Sequence, residues 1–140
     1  MIPIVHLVDE NTTEPRVKAV FDDIKASRNI NWIPAIWRAL ATHPEHLELC
    51  WSRVKAIMKP GRLDMLTKEI IAIAVSVTNG CAYCINSHTA AAQKQGLDDE
   101  ILGEVLAVVG LYNQMNKLAE AYQIEPDMLP LAAREQKAKS

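Results

Sequence analysis

The stretch EIIAIAVSVTNGCAYCINSH, Glu69 to His88, decides how the whole chain is read. Its first half, Ile70 to Val77, is almost wholly apolar and rich in β-branched residues. Periodicity alone fits such a run to a buried strand or to a buried helix. Three features favour helix. Asp64 is a good N-cap, MLTKE between the cap and the run is helix-compatible, and no partner strand stands elsewhere in the chain. A helix this uniformly apolar is expected to be surrounded on nearly all sides. Asn79-Gly80 ends it, as a left-handed C-terminal residue would.

Working outward, helical patterns fill the chain. EPRVKAVFDDIKAS places Val17, Val20, Phe21 and Ile24 on one face, with Thr13 as expected cap and Pro15 at an early helical position. Ala35 to Thr42 makes a short helix with Ile36, Trp37 and Leu40 inward. After Pro44, residues Leu47, Cys50, Trp51, Val54 and Ile57 recur at helical spacing. Beyond the opening stretch, a helix from Cys81 closes at Gly96. Asp98 then caps a long helix to about Tyr122, with Ile101, Leu102, Val105, Leu106, Val109, Tyr112, Met115 and Leu118 facing the core. Pro126, Pro130 and the polar end read as a weakly structured tail over 126–140. The expectation is an all-α, single-domain helical bundle over 1–140.

Composition narrows the function classes. The 140 residues are 49% hydrophobic and 23% charged, which is ordinary for one soluble domain. The net charge of −2, with no Lys/Arg run, points away from nucleic acid and anionic membranes. The N-terminus MIPIVHLVDE lacks the pattern of a signal peptide. Three cysteines without a secretory signal argue against a disulfide framework and make a reducing cytoplasm the expected compartment. There, a C-x-x-C pair is more often catalytic or metal-binding than permanently oxidised.

With Cys81 in the first turn of its helix, Cys84 and His88 fall on neighbouring parts of one face. Unpaired backbone N–H groups and the positive dipole end favour a thiolate there, as does a nearby imidazole. Such settings take a cysteine pKa from about 8.5 to roughly 3.5–7.5. Helix-end electrostatics favours Cys81 as the nucleophile, and the i, i+4 pairing with His88 favours Cys84. Glu69 stands twelve residues before Cys81. If the two helices fold back around Asn79-Gly80, Glu69 comes about one helical turn from His88, within reach through one water. A carboxylate on so apolar a helix is costly without a partner, and orienting His88 would supply one.

The pattern E-x11-C-x-x-C-x3-H, with Asn-Gly just before the first Cys, resembles the alkylhydroperoxidase-D-like branch of the carboxymuconolactone decarboxylase superfamily. A softer likeness runs from GRLDMLTKE to YNQMNKLAEAY. The resemblance implies an all-α fold assembled into trimers or hexamers. It implies a peroxidase that needs no cofactor, reduces peroxides through its cysteine pair and is regenerated by an external dithiol or a lipoylated protein. Carried over by position, Cys84 is the peroxidatic thiol, Cys81 the resolving one, His88 the proton acceptor and Glu69 its orienter through water. One departure stands out. Tyr83 occupies the place of a family His, and a phenol with pKa near 10 does not replace a proton carrier at pH 7. The decarboxylase branch lacks the cysteine pair, which argues against lactone decarboxylation.

Plainer readings stand beside these. The cysteines can be two buried small hydrophobes. Cys81, Cys84 and His88 can be three zinc ligands in need of a fourth. The pair can also be a non-catalytic redox sensor or interaction module. Tyr83 reads best as packing, Cys50 as core, and Trp32, Trp37 and Trp51 as core or interface anchors. His6, His43 and His46 have no partner that the sequence identifies, and Asn113 and Asn116 are candidates for an interface or a site. Few aromatics and the apolar 70–77 run point to a homo-oligomer, since a lone subunit would leave apolar surface uncovered.

Overall fold

In the computed structural model, which describes residues 1–138, the chain is all-α, with seven helices and no strand among those residues. The helices group into two compact units, Met1–Arg62 and Leu63–Ser140. Among the described residues no helix is long and apolar enough to cross a membrane.

The first unit holds α1 (Pro15–Arg28), α2 (Ala35–Leu40) and α3 (Pro44–Ile57). The cap of α1 is Glu14 rather than Thr13. Pro15 takes the first helical position, so the residue before it must be extended, and the Glu14 carboxylate accepts the Val17 N–H at 2.7 Å. The α3 cap is His43, whose Nδ1 accepts the His46 N–H at 3.2 Å. Val17, Val20, Phe21 and Ile24 pack with Ile33, Trp37, Leu47 and Trp51, and Cys50 lies partly buried against them. Ile36, Ile57 and Trp32 are about half exposed, so Ile36 and Ile57 do not join the core that periodicity placed them in. Trp37 and Trp51 meet edge to face at 5.2 Å, with the Arg28 guanidinium near both rings.

In the second unit, α4 (Met65–Thr78) and α5 (Ala82–Gln93) form an antiparallel pair, and α6 (Asp99–Ala121) packs on α4. Asp64 and Asp98 cap α4 and α6 as their sequence positions indicate, each accepting an N–H at 2.8 Å. The core is Ile73, Ala92 and Leu97, with Leu66, Ile70, Val77, Ile101, Leu102 and Val105 packed around it. Two expectations are corrected. The buried residues of α4 are Glu69, Ile73 and Ser76, a narrow stripe, while Ile71 and Val75 face outward. On α6 the apolar pattern also continues past what this chain covers: Leu106, Tyr112, Met115 and Leu118 are exposed. The apolar runs are longer than the helix faces available to bury them within one chain.

After Pro130, α7 (Leu131–Ala138) forms where the sequence suggested weak structure. LAAREQKA is made of good helix formers, and their propensity carries one short helix beyond the prolines. The last two residues of the expected tail lie outside the described residues.

A charged pair ties α1 to α3. Asp23 accepts the Trp51 Nε1–H at 2.6 Å and also pairs with Lys55. The Lys55 hydrogen bond, then that from Trp51, holds the Asp23 carboxyl below its ordinary range. A depressed carboxyl pKa adds stability above its unfolded value, and that stability is lost as pH falls through the folded value. Asp23→Ala leaves the buried Trp51 N–H without its acceptor. Urea unfolding at pH 7 is expected to show a loss of about 1 kcal/mol, the low end for a buried unpaired donor because the ion pair is half exposed. The gap between variant and wild type should close in acid.

Candidate active site

The turn between α4 and α5 places every residue of the candidate site. Gly80 has φ +69°, the left-handed conformation that ends α4. Its N–H donates to the Val77 carbonyl at 3.1 Å, and the next N–H, that of Cys81, donates to the Ser76 carbonyl at 2.9 Å. These two bonds make a Schellman motif. Its last residue, Cys81, is at the same time the N-cap of α5. Its Sγ accepts the Cys84 N–H at 3.3 Å. The sequence placed Cys81 at the helix start. It did not indicate Ser76, whose buried position and carbonyl fix the Cys81 backbone.

Cys81 and Cys84 are disulfide-bonded, with Cα atoms 5.3 Å apart, and both are partly exposed. His88 follows one turn later on α5. Its Nδ1 lies 2.7 Å from Oε2 of Glu69 on α4, so the contact is direct rather than through a water. Counting residues back from the turn left the two about a helical turn apart, and the Glu side chain is long enough to close that gap. Glu69 is only 8% exposed, so it is not a solvated residue near a helix start. A carboxylate accepts, so Nδ1 donates, and in the neutral ring Nε2 is then the nitrogen with the lone pair. The His88 side chain remains 35% exposed. Tyr83 stands half exposed in the first turn of α5.

Among the described residues no group of three or more His, Cys, Asp or Glu is placed to hold a metal ion. A groove of about 340 Å³ runs between α4 and α6, lined in part by Val75, Thr78, Asn79, Val109, Tyr112 and Asn116. Asn113 also lines it, so both helix-interior asparagines of α6 open onto one surface.

Residues 44–124 match the family model of the carboxymuconolactone decarboxylase family. An alkyl hydroperoxide reductase AhpD of Solibacter usitatus is 30% identical over 92 residues, 65% of this chain and 50% of that protein. An AhpD of Streptomyces griseus is 31% identical over 85 residues, 60% of this chain and 48% of that protein. The chain thus spans about half the length of these curated relatives. Among solved structures, the alkylhydroperoxidase AhpD core of Rhodospirillum rubrum superposes with a TM-score of 0.86 at 47% identity, covering 91% of this chain and 96% of that one.

No atom lies within 4 Å of a Cβ added at Gly80, so a substitution there meets only the backbone penalty of its positive φ. Gly80→Ala is expected to lower stability in urea by about 1–2 kcal/mol, and Gly80→Asn by less, because Asn tolerates this region better. Equal losses for Ala and Asn would show that the left-handed turn is not what the glycine supplies.

Proposed function

The chain belongs to the carboxymuconolactone decarboxylase family, in its AhpD-like branch, and on that premise we propose that it is a thiol-dependent peroxidase. The observation that carries this reading is a cysteine pair one helical turn along α5 from an imidazole whose Nδ1 is tied to a buried carboxylate. In the reduced protein, Nε2 of His88 takes the Cys84 proton. The Cys84 thiolate then attacks the terminal oxygen of the peroxide. An S–O bond forms, the O–O bond breaks, and the departing alkoxide takes its proton from His88. Glu69 holds the ring in one orientation and supports the imidazolium between the two transfers. Cys81 attacks the resulting sulfenic sulfur, water leaves, and the disulfide forms. An external dithiol, free or as a lipoyl group on a protein, returns two electrons. Tyr83 contributes packing at the mouth of the site rather than a proton. No metal, haem or flavin enters this scheme, and a reducing cytoplasm suits it.

We also assign the exposed apolar residues of α4 and α6 to contacts between copies of this chain, as a trimer or hexamer. Ile71, Val75, Val108, Leu111, Tyr112 and Met115 are each about half exposed. So many on two helices exceed what a monomer ordinarily leaves in water.

Peroxide consumption with dithiothreitol as reductant tests the first reading. Cys84→Ser and Cys81→Ser should each abolish turnover. His88→Ala should lower it by roughly 10²–10⁴-fold, the usual range for a positioned general base. Glu69→Gln should cost less than His88→Ala. Oxidation of one equivalent without turnover would favour a redox sensor instead. Loss of activity in neither cysteine variant would remove the pair from the mechanism. For the assembly, light scattering at micromolar concentration should give a multiple of 15.6 kDa, and a monomeric mass would refute it.

A further inference from the structure

The two sulfurs of the disulfide are not equivalent, and the difference bears on how the pair is re-reduced. Cys81 Sγ sits outside the first turn of α5 as its N-cap and receives the Cys84 N–H at 3.3 Å. Cys84 lies inside the helix, and its own amide is the donor of that bond. Negative charge on Cys81 is therefore met by an aligned N–H and by the positive end of the helix. Both residues are partly exposed, so access does not choose between them. In thiol–disulfide exchange the sulfur that leaves faster is the one whose thiolate is more stable.

We infer that the reductant attacks Cys84 Sγ and expels Cys81 as the thiolate. This rests on the reading of the pair as a dithiol-reducible disulfide and adds its polarity. In the first step the reductant thiolate bonds to Cys84 Sγ, the Cys81–Cys84 bond breaks, and the electron pair goes to Cys81. In the second, the reductant's other thiol gives up its proton, for which Nε2 of His88 on the same helix face is the acceptor. The new thiolate attacks the reductant sulfur already bound to Cys84. The reductant leaves as a disulfide, Cys84 leaves as a thiolate, and two electrons have passed to the pair. The same N-cap bond serves the oxidative half, where Cys81 must be ionised to attack the Cys84 sulfenic acid. One backbone N–H thus stabilises the same charge in both directions.

The test maps the first step in the oxidised wild-type chain. A brief pulse of 2-mercaptoethanol is quenched with excess N-ethylmaleimide, and the Cys81–Cys84 peptide is sequenced by mass spectrometry. The mercaptoethanol adduct is expected on Cys84 and the maleimide on Cys81. A difference of ~2 units in thiol pKa, with a Brønsted coefficient of about 0.5, gives roughly a tenfold preference. The adduct on Cys81, or equal amounts on both, overturns the inference. A second measurement titrates iodoacetamide reactivity of Cys81 in Cys84→Ser, where the amide donor at position 84 is kept. Its midpoint should fall at least about one unit below the ordinary 8.5. A midpoint at or above that value overturns the inference as well. The peroxide assay is independent. Adducts on Cys84 without peroxide turnover would remove the peroxidase reading and leave the polarity standing, whereas turnover with adducts on Cys81 would do the reverse.

Discussion

The pairing of α4 with α5 depends on a turn through one left-handed residue. With Gly80 at positive φ, the last carbonyls of α4 are satisfied by the N–H groups of Gly80 and Cys81. The chain can then start α5 at once, with Cys81 as cap. No residue intervenes between the motif that ends one helix and the residue that begins the next. The cysteine pair is consequently built into the backbone hydrogen bonding of a helix junction, not carried on a loop. Its sulfur-to-amide geometry is as well determined as the turn itself, which is the kind of rigid placement a catalytic constellation needs.

The second constraint is the carboxylate on α4. Glu69 occupies the buried stripe with Ile73 and Ser76, a position that would be costly for an unpaired charge. His88 is its hydrogen-bond partner, from the facing helix. The pair binds α4 to α5 at the level of the site and at the same time sets which ring nitrogen is available. Packing and chemistry are here the same contact. Together with the turn, it fixes two points along the helix pair, and two points are enough to define how the helices face each other.

What could be read in advance was what depends on local chemistry. The caps Asp64 and Asp98, the Gly80 stop, the α1 stripe from Val17 to Ile24 and the start of α5 at Cys81 follow from short-range rules. Ile70 to Val77 is helical because the cap and the absence of partner strands outweigh its β-branched composition. What depends on a second element was less legible. The direct Glu69–His88 contact rests on how two helices cross. The exposure of Leu106, Tyr112 and Met115 depends on what lies beside α6, and apolar spacing says only that a face wants cover. Glu14 displaced Thr13 because Pro15 fixes the register to the residue. His43 was invisible as a cap because an imidazole is an uncommon one. α7 was masked by the prolines before it, although its own residues favour helix.

The disulfide spans a separation of three residues. Closing so small a ring removes little freedom from the unfolded chain, about 2 kcal/mol on the loop-entropy account, against nearly 5 for a ring of a hundred residues. The bond therefore adds less to the fold than a crosslink between distant segments would. If the proposed cycle makes and breaks this bond, each reduction takes only that short-ring increment from the fold, less than half of what a long-range crosslink would take.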